Sequence, residues 1–245
     1  MPTKRATRRV MKAEATVSPE MMLRLQNAER AVQQLLSEIP SLTDNPALLQ
    51  RRREEIVAAA LYCFARDGFE RATVTDIARR IGMDKRTVYD YVKDKTDILY
   101  LLFLHYLPAQ LRNLATAVDD AAPPLDQLRA LVGRHITYVE EHDSIVLVMY
   151  REMRHLHRHQ ITNLLGLIDD IVSIYDTVLE RAIDQGIVPA GPVRVVSHAI
   201  RAVLEMPGLT AWDLRRFDPD DVRAVLINFV VSGVAGQQLH SRGRT

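Results

Sequence analysis

The sequence is poor in the residues that disulfides, metal sites and membrane spans need. Its 245 residues include a single cysteine, Cys63, so a disulfide within the chain and a four-cysteine zinc site are both excluded. Aromatic residues make up only 6% of the chain, and few segments alternate as strands do. No apolar run approaches the roughly 18 residues that cross a bilayer, and the basic N-terminus lacks the apolar core of a signal peptide. We therefore expect an all-α, cytoplasmic protein with no membrane partner.

Recognisable catalytic motifs are also missing. There is no glycine-rich phosphate loop and no nucleophile elbow, so we expect neither a cofactor nor an enzyme. A rival interpretation is a metal-dependent enzyme. The only sequence feature that supports it is a histidine cluster formed by His142, His155 and His159. His155 and His159 are four residues apart, a spacing that suits a metal pair. Only Glu152 stands near them as a further ligand, so solvated or core histidines are favoured and no metal is expected.

Charge is divided unevenly along the chain. Residues 1–95 carry 18 Lys and Arg against 13 Asp and Glu, whereas residues 96–245 carry 14 against 18. A basic front half indicates a polyanionic partner such as DNA. A protein that compacts DNA without specificity is the second rival interpretation, but it needs a basic surface throughout, and the rear half is acidic.

Helical periodicity and turn residues predict four regions. Residues 1–17 form a disordered basic arm that contains Lys4, Arg5, Arg8, Arg9 and Lys12. Residues 18–44 form an extension with an amphipathic helix from Ser18 to Pro40. Residues 45–98 form a DNA-binding domain, and residues 99–245 form a further helical domain. The later helices are predicted from 96 past 107, either broken near Pro108 or continuing to 118, and then at 125–141, 144–157, 160–185, 192–206 and 219–239.

A helix-turn-helix is predicted between Thr73 and Tyr91. Thr73 suits an N-cap, with Asp76 completing a capping box, and Gly82 ends this short helix. Asp84 then caps a second short helix, whose buried positions are predicted to be Val88 and Val92. Two short helices joined by a glycine turn after a longer helix are typical of a helix-turn-helix, whose second helix enters the major groove.

The residues of the second short helix suit contact with DNA. Its predicted exposed positions are Lys85, Arg86, Thr87, Tyr89, Asp90 and Tyr91. Lys and Arg can read guanine, Thr can touch a thymine methyl, and Tyr can donate to phosphate, whereas the Asp90 carboxylate repels phosphate. The predicted DNA-binding residues are therefore Thr73, Lys85, Arg86, Thr87, Tyr89, Tyr91 and Lys95.

Over residues 50–100 the sequence resembles the TetR family of bacterial regulators. The matching positions are Thr73, Ile77, Ala78, Gly82, Thr87, Tyr89, Tyr91 and Lys95. The chain departs from the family pattern at Asp84, where serine is usual, at Arg86, where glycine is common, and at Val92, where phenylalanine is common. The resemblance implies a three-helix helix-turn-helix domain followed by a helical ligand-binding and dimerisation domain. It also implies a repressor that binds a palindromic double-stranded DNA operator as a homodimer and is released by a small hydrophobic effector.

The resemblance assigns ligand binding and dimerisation to residues 99–245, which we call the regulatory domain. Two further sites are predicted in this domain. Apolar and small residues on the last two long helices suggest a dimer interface, with internal core as the alternative, through Val195, Ala199, Ala202, Val222, Leu226, Phe229 and Gly233. Methionines and aromatics suggest an effector pocket, again with core packing as the alternative, lined by Leu102, Met149, Tyr150, Met153, Arg154, Leu167, Tyr175 and Trp212. The segment 149–156 resembles regulators of fatty-acid or sterol breakdown, which implies an acyl-CoA effector.

Overall fold

The computed structural model describes residues 18–236, and these residues form helices and no strand, as the composition predicts. A 3₁₀ turn spans Met153–His155. The α-helices in chain order are α1 Pro19–Glu38, α2 Pro46–Arg71, α3 Val74–Arg80, α4 Lys85–Val88, α5 Lys95–Ala115, α6 Pro124–Glu141, α7 Asp143–Glu152, α8 Arg158–Asp184, α9 Val193–Leu209, α10 Ala211–Leu214 and α11 Pro219–Gly236.

The extension helix α1 forms where the sequence predicts it. The Ser18 hydroxyl accepts a hydrogen bond from the Met21 amide at 3.3 Å, which satisfies one of the free donors at the helix start. One face of α1 is buried and packs against α5 and α8; its buried residues are Met21, Leu25, Ala28 and Val32. The predicted basic arm, residues 1–17, and the last nine residues lie outside the part of the chain that the structure describes.

Helices α2, α3 and α4 form the predicted helix-turn-helix unit. Asn45 caps α2 through a bond from the Leu48 amide, and Gly68 interrupts the helical backbone near its end with a φ of 79°. A positive φ favours glycine because it has no Cβ. The helix is therefore kinked at Gly68 and continues for one more turn to Arg71.

Helix α5 is the centre of the molecule. It begins in the helix-turn-helix unit at the N-cap Asp94, and packs against α1, α2, α6 and α8. Its residues are buried on nearly every side, as is typical of a central helix. The predicted boundary between residues 98 and 99 therefore falls inside one continuous helix.

Of the two alternatives predicted at Pro108, the structure has the continuous one: α5 runs through this residue and ends at Ala115, although Pro108 lacks the amide that would bond to the Leu104 carbonyl, because both flanks are buried in the core. Two other details of the regulatory helices differ from the sequence prediction. The helix predicted to reach 157 ends at Glu152 and tightens into the 3₁₀ turn. The short helix α10 was not predicted.

A buried histidine links three helices of the regulatory domain. His135 on α6 is fully buried; its Nδ1 lies 2.7 Å from the Tyr175 hydroxyl and its Nε2 lies 3.0 Å from the Gln110 amide nitrogen. The amide group donates to Nε2, which leaves the proton of the neutral ring on Nδ1. Burial, with a smaller contribution from Arg201, lowers the pKa of His135 to about 3.

This burial predicts acid sensitivity. An unfolded histidine takes up a proton near pH 6.5, whereas folded His135 resists it down to about pH 3. Between these values the unfolded state binds more protons, so stability falls as the pH decreases. We expect His135 to reduce the free energy of unfolding by about 2 kcal/mol between pH 7 and pH 5.

Urea unfolding at both pH values measures the effect. His135→Gln should lose correspondingly less stability on acidification than the wild type. Equal losses in the wild type and His135→Gln would contradict the prediction.

Candidate functional site

The turn between α3 and α4 has the geometry that its sequence predicts. Thr73 and Asp76 form the predicted capping box, in which the Thr73 hydroxyl accepts from the Asp76 amide at 3.1 Å. Gly82 has a φ of 66°, and the Met83 amide donates back to the Ala78 carbonyl at 2.9 Å. Asp84 caps α4 through the Arg86 amide at 2.7 Å. These local bonds fix the direction in which α4 leaves the turn.

Helix α4 presents an exposed, positively charged face. Val88 and Val92 are fully buried, as predicted, and anchor α4 to the rest of the unit. Lys85, Arg86 and Tyr89 are exposed, and Thr87 is half-buried. Among residues 18–236, no carboxylate forms an ion pair with Lys85 or Arg86, although many other arginines are paired. The face can therefore donate hydrogen bonds to an external partner.

Tyr91 is not part of this face. Its side chain is buried, with 8% of its surface exposed, so the prediction that it is exposed beside Tyr89 is wrong. The reason is that α4 ends at Val88 and the chain turns before Tyr91, so helical spacing no longer applies. Its backbone carbonyl instead accepts a hydrogen bond from Arg53 at 3.1 Å.

Lys95 has a structural position rather than a free ammonium group. Its Nζ donates to the carbonyl oxygens of Phe69, Glu70 and Ala72 at 2.6, 3.2 and 2.9 Å. An ammonium has three donors, so none remains for DNA, in contrast to the predicted contact. Partial burial lowers its pKa. Lys95 joins the end of α2 to the start of α5.

Exposed polar groups around the helix-turn-helix include the predicted Thr73 and two arginines, Arg79 and Arg80, that were not singled out from the sequence. Arg79 and Arg80 end α3, and the Arg80 guanidinium stacks 3.5 Å from the ring centroid of Tyr62 on α2. Arg79 is paired with Asp76. Thr73 is exposed at the start of α3, where its hydroxyl also donates to Asp76 at 2.5 Å. Sequence pattern alone ranks such arginines as ordinary surface charge.

The histidine cluster does not assemble. His142 Nδ1 lies 2.7 Å from the Tyr138 carbonyl, His155 stacks on Phe69, and His159 stacks on His157. No group of three or more metal-ligating side chains converges anywhere between residues 18 and 236. The rival interpretation as a metal-dependent enzyme therefore finds no site in the described chain.

The predicted pocket residues do not share one cavity. Leu102, Met149 and Tyr175 are buried in the core, and Leu167 lines an open groove between α1 and α8. Trp212 is 81% exposed and lines a different groove beside α7 and α10. Tyr150 is half-exposed, Met153 is half-buried and Arg154 is exposed. The structure therefore does not bring Trp212 to Tyr175, since α10 lies on the surface.

A polar cluster in the interior of the regulatory domain was missed from the sequence. Tyr150 on α7 donates to the buried carboxylate of Glu205 on α9, which also pairs with Arg201. Burial raises the pKa of Glu205, and burial together with Glu205 raises that of Tyr150 to about 12. The charges of Glu205 and Arg201 also act on the buried hydroxyls of Tyr106 and Tyr175. The cluster joins α5, α7, α8 and α9, so no single helix reveals it.

Several buried polar atoms of the regulatory domain have no hydrogen-bond partner among the described residues. They include the Tyr106 hydroxyl, the Gln110 carbonyl oxygen, the Ser197 hydroxyl and Arg201 Nε. Each buried polar atom left unpaired costs about 1–3 kcal/mol. A bound molecule that hydrogen-bonds to them would recover that cost.

The predicted dimer face is exposed along α9 and α11. Val195 and Phe229 are 65% and 66% exposed, and Ala199, Ala202 and Gly233 are also exposed. Val222 is half-buried. Leu226 is buried within the chain at 6% exposure, because it packs inward from α11. Val225, which is 66% exposed, extends the same apolar surface.

Comparison with known proteins matches both parts of the chain. Residues 56–100 match the family described as bacterial regulatory proteins of the tetR family, and residues 121–209 match the tetracyclin repressor-like C-terminal domain. The fatty acid metabolism regulator protein of Bacillus subtilis is 22% identical over 183 residues, which cover 74% of this chain and 94% of that protein.

Solved structures share the fold. FadR from Bacillus subtilis in complex with stearoyl-CoA has a TM-score of 0.61 at 21% identity, covering 74% of this chain and 98% of that one. AibR in complex with isovaleryl coenzyme A and operator DNA has a TM-score of 0.65 at 17% identity, covering 73% and 97%. Within residues 18–236, no helix has both the length and the apolar character of a membrane span. The chain belongs to the TetR family of bacterial regulatory proteins and is a helix-turn-helix transcriptional regulator.

Proposed function

We propose that this regulator is a cytoplasmic repressor that binds a palindromic operator as a homodimer and releases it when a coenzyme A thioester binds. It acts by binding, without catalysis. The observation that carries the proposal is the exposed face of α4, where Lys85 and Arg86 form no ion pair with any residue between 18 and 236. Such cations keep their charge available for the edges of bases and for phosphates.

The residues of this face have separate roles in the proposal. Arg86 and Lys85 read guanine in the major groove, Thr87 contacts a thymine methyl, and Tyr89 and Thr73 donate to phosphates. The buried Tyr91 and the carbonyl-bound Lys95 act indirectly by holding α4 and α5 in place.

Replacement of Arg86 by Ala should alter base preference at one position in each half-site and cost about 1–3 kcal/mol on the preferred operator. The measurement is in vitro selection from a randomised library, followed by titration of the selected duplex.

The exposed Arg30 in the middle of α1 supplies a control, since its replacement by Ala removes the same charge. That variant should keep the wild-type base preference. An unchanged preference in Arg86→Ala would show that this side chain does not read a base.

The exposed apolar face on α9 and α11 supports the dimer. Contiguous apolar surface is uncommon on monomers, and Val195, Val225 and Phe229 each expose about two thirds of their surface. A two-fold axis through this face would place both helices of each subunit against the same pair in the other. We propose Val195, Ala199, Ala202, Val222, Phe229 and Gly233 as interface residues, with Leu226 supporting them from within.

Replacement of Phe229 by Asp should weaken the dimer at least about 30-fold, because the association would bury an unpaired charge. Sedimentation equilibrium over a range of concentrations measures this change.

Leu165 on α8 is 53% exposed and lies away from this face, so Leu165→Asp is the matched control. It should leave the dimer intact. Dissociation of Leu165→Asp, with Phe229→Asp still dimeric, would move the interface elsewhere.

The proposal of a coenzyme A thioester rests on two observations. Two proteins of the same fold, FadR and AibR, are solved with stearoyl-CoA and isovaleryl coenzyme A. In this chain the buried hydroxyls of Tyr106 on α5 and Ser197 on α9 have no hydrogen-bond partner among the described residues, and the core that surrounds them is largely apolar. An acyl chain suits the apolar part, and the thioester carbonyl can accept from a hydroxyl.

A panel of thioesters with acyl chains of two to eighteen carbons should include one that releases fluorescent operator DNA from the protein. Tyr106→Phe should raise the stability of the unliganded protein, since it removes a buried unpaired hydroxyl, and should weaken the active thioester about 5- to 20-fold.

Tyr138→Phe is the control, because the Tyr138 hydroxyl already donates to the Tyr106 carbonyl at 3.2 Å. It should lose stability instead. Operator affinity that stays constant across the whole panel would reject the thioester.

A further inference from the structure

A buried arginine joins the extension to the residues that follow α4, the proposed recognition helix. Arg53 on α2 is only 7% exposed. Its Nε donates to the Tyr91 carbonyl at 3.1 Å, its Nη1 to the Leu36 carbonyl at 2.9 Å, and its Nη2 to the Ile39 and Pro40 carbonyls at 2.7 and 3.5 Å. These bonds satisfy a cation at the C-terminal end of α1, where free carbonyls favour positive charge.

A second bond ties the same two segments together. The Leu42 amide, just after α1, donates to the Asp90 carbonyl at 2.7 Å. Asp90 and Tyr91 are the residues that follow α4. The Asp90 carbonyl is therefore bound by the extension itself, through the Leu42 amide. The Tyr91 carbonyl is bound by Arg53, which also binds the end of α1.

The other end of α1 is attached to the regulatory domain. Arg24 donates to the Ser173 carbonyl at 3.3 Å and to its hydroxyl at 3.0 Å, on α8. Glu29 pairs with Arg112 of α5. The buried face of α1 packs on the same two helices. A single rigid helix thus connects the regulatory core with the end of α4.

We propose that the extension, residues 18–44, is a positioning element for operator recognition: α1, Arg53 and the Leu42 amide hold α4 at a fixed place relative to the regulatory core. This rests on the proposed function, in which a dimer reads two half-sites. Because the dimer face lies on the regulatory core, the extension sets the distance between the two recognition helices without itself contacting DNA.

The consequence is selectivity for half-site spacing. One added base pair moves a half-site by about 3.4 Å and rotates it by about 35°. A firmly held pair of recognition helices rejects that change, whereas helices that pivot about the start of α5 accommodate it. The ratio of the affinities for the native and the altered spacing, here called the spacing ratio, therefore measures the effect of the extension. A general change in the stability of the fold does not by itself change this ratio.

Leu42→Pro is the most direct test. It removes the amide that donates to the Asp90 carbonyl, at a residue whose side chain is 80% exposed. Leu42→Ala keeps the amide and is the matched control. The operator is first selected with the wild-type protein, and duplexes with one base pair added or removed between half-sites are then titrated. Leu42→Pro should reduce the spacing ratio about 3- to 10-fold, in keeping with one lost hydrogen bond, and Leu42→Ala should keep the wild-type ratio.

Arg24→Ala provides an independent test at the opposite end of α1. If the extension acted only within the helix-turn-helix, Arg24→Ala would have no effect. If the extension positions α4 relative to the regulatory core, Arg24→Ala should reduce the spacing ratio and leave the preference for half-site bases unchanged. If Leu42→Pro binds no duplex, the ratio of Arg24→Ala decides.

A wild-type ratio in both Leu42→Pro and Arg24→Ala would overturn the positioning role. If the wild-type protein selects no palindrome at all, the proposed function fails instead, so the two failures are distinguishable.

Discussion

The packing around α5 is the constraint on which the rest of the structure depends. This helix starts in the helix-turn-helix unit and passes through the regulatory core, and it contacts α1, α2, α6 and α8. Apolar burial on nearly every side leaves it little freedom to move alone. Any rearrangement of the regulatory interior that shifts α5 must therefore also shift the DNA-binding end, which gives the molecule a physical route from effector to operator.

Two cations, the buried Arg53 and the partly buried Lys95, connect the helix-turn-helix unit with the helices beside it. Arg53 and Lys95 both bind backbone carbonyls rather than carboxylates. Carbonyls at a helix end are fixed in direction, so a cation that binds several of them sets the angle between the segments they belong to. Lys95 sets the angle between α2 and α5, and Arg53 sets that between α1 and the end of α4. Arg53 and Lys95 thus connect segments of the chain to one another, whereas Lys85 and Arg86 lie on the exposed face of α4.

The regulatory interior differs from an ordinary apolar core in its polar content. His135, Tyr175 and Gln110 form one buried chain of hydrogen bonds, and Glu205 forms another with Tyr150 and Arg201. Buried polar groups specify a unique arrangement when all are satisfied. Here some have no partner among the described residues, which supports the proposed effector site.

Local sequence patterns were sufficient to predict the long helices, their N-caps and the helix-turn-helix. Ser18, Thr73, Asp84 and Asp94 cap the helices that follow them, and Gly82 turns the chain, because each acts on backbone groups within a few residues. Only the tertiary structure decided which side chains of the site are free. The burial of Tyr91, the three carbonyls around Lys95, the exposure of Trp212 and the interior position of Glu205 each depend on residues distant in sequence, and no local periodicity carries that information.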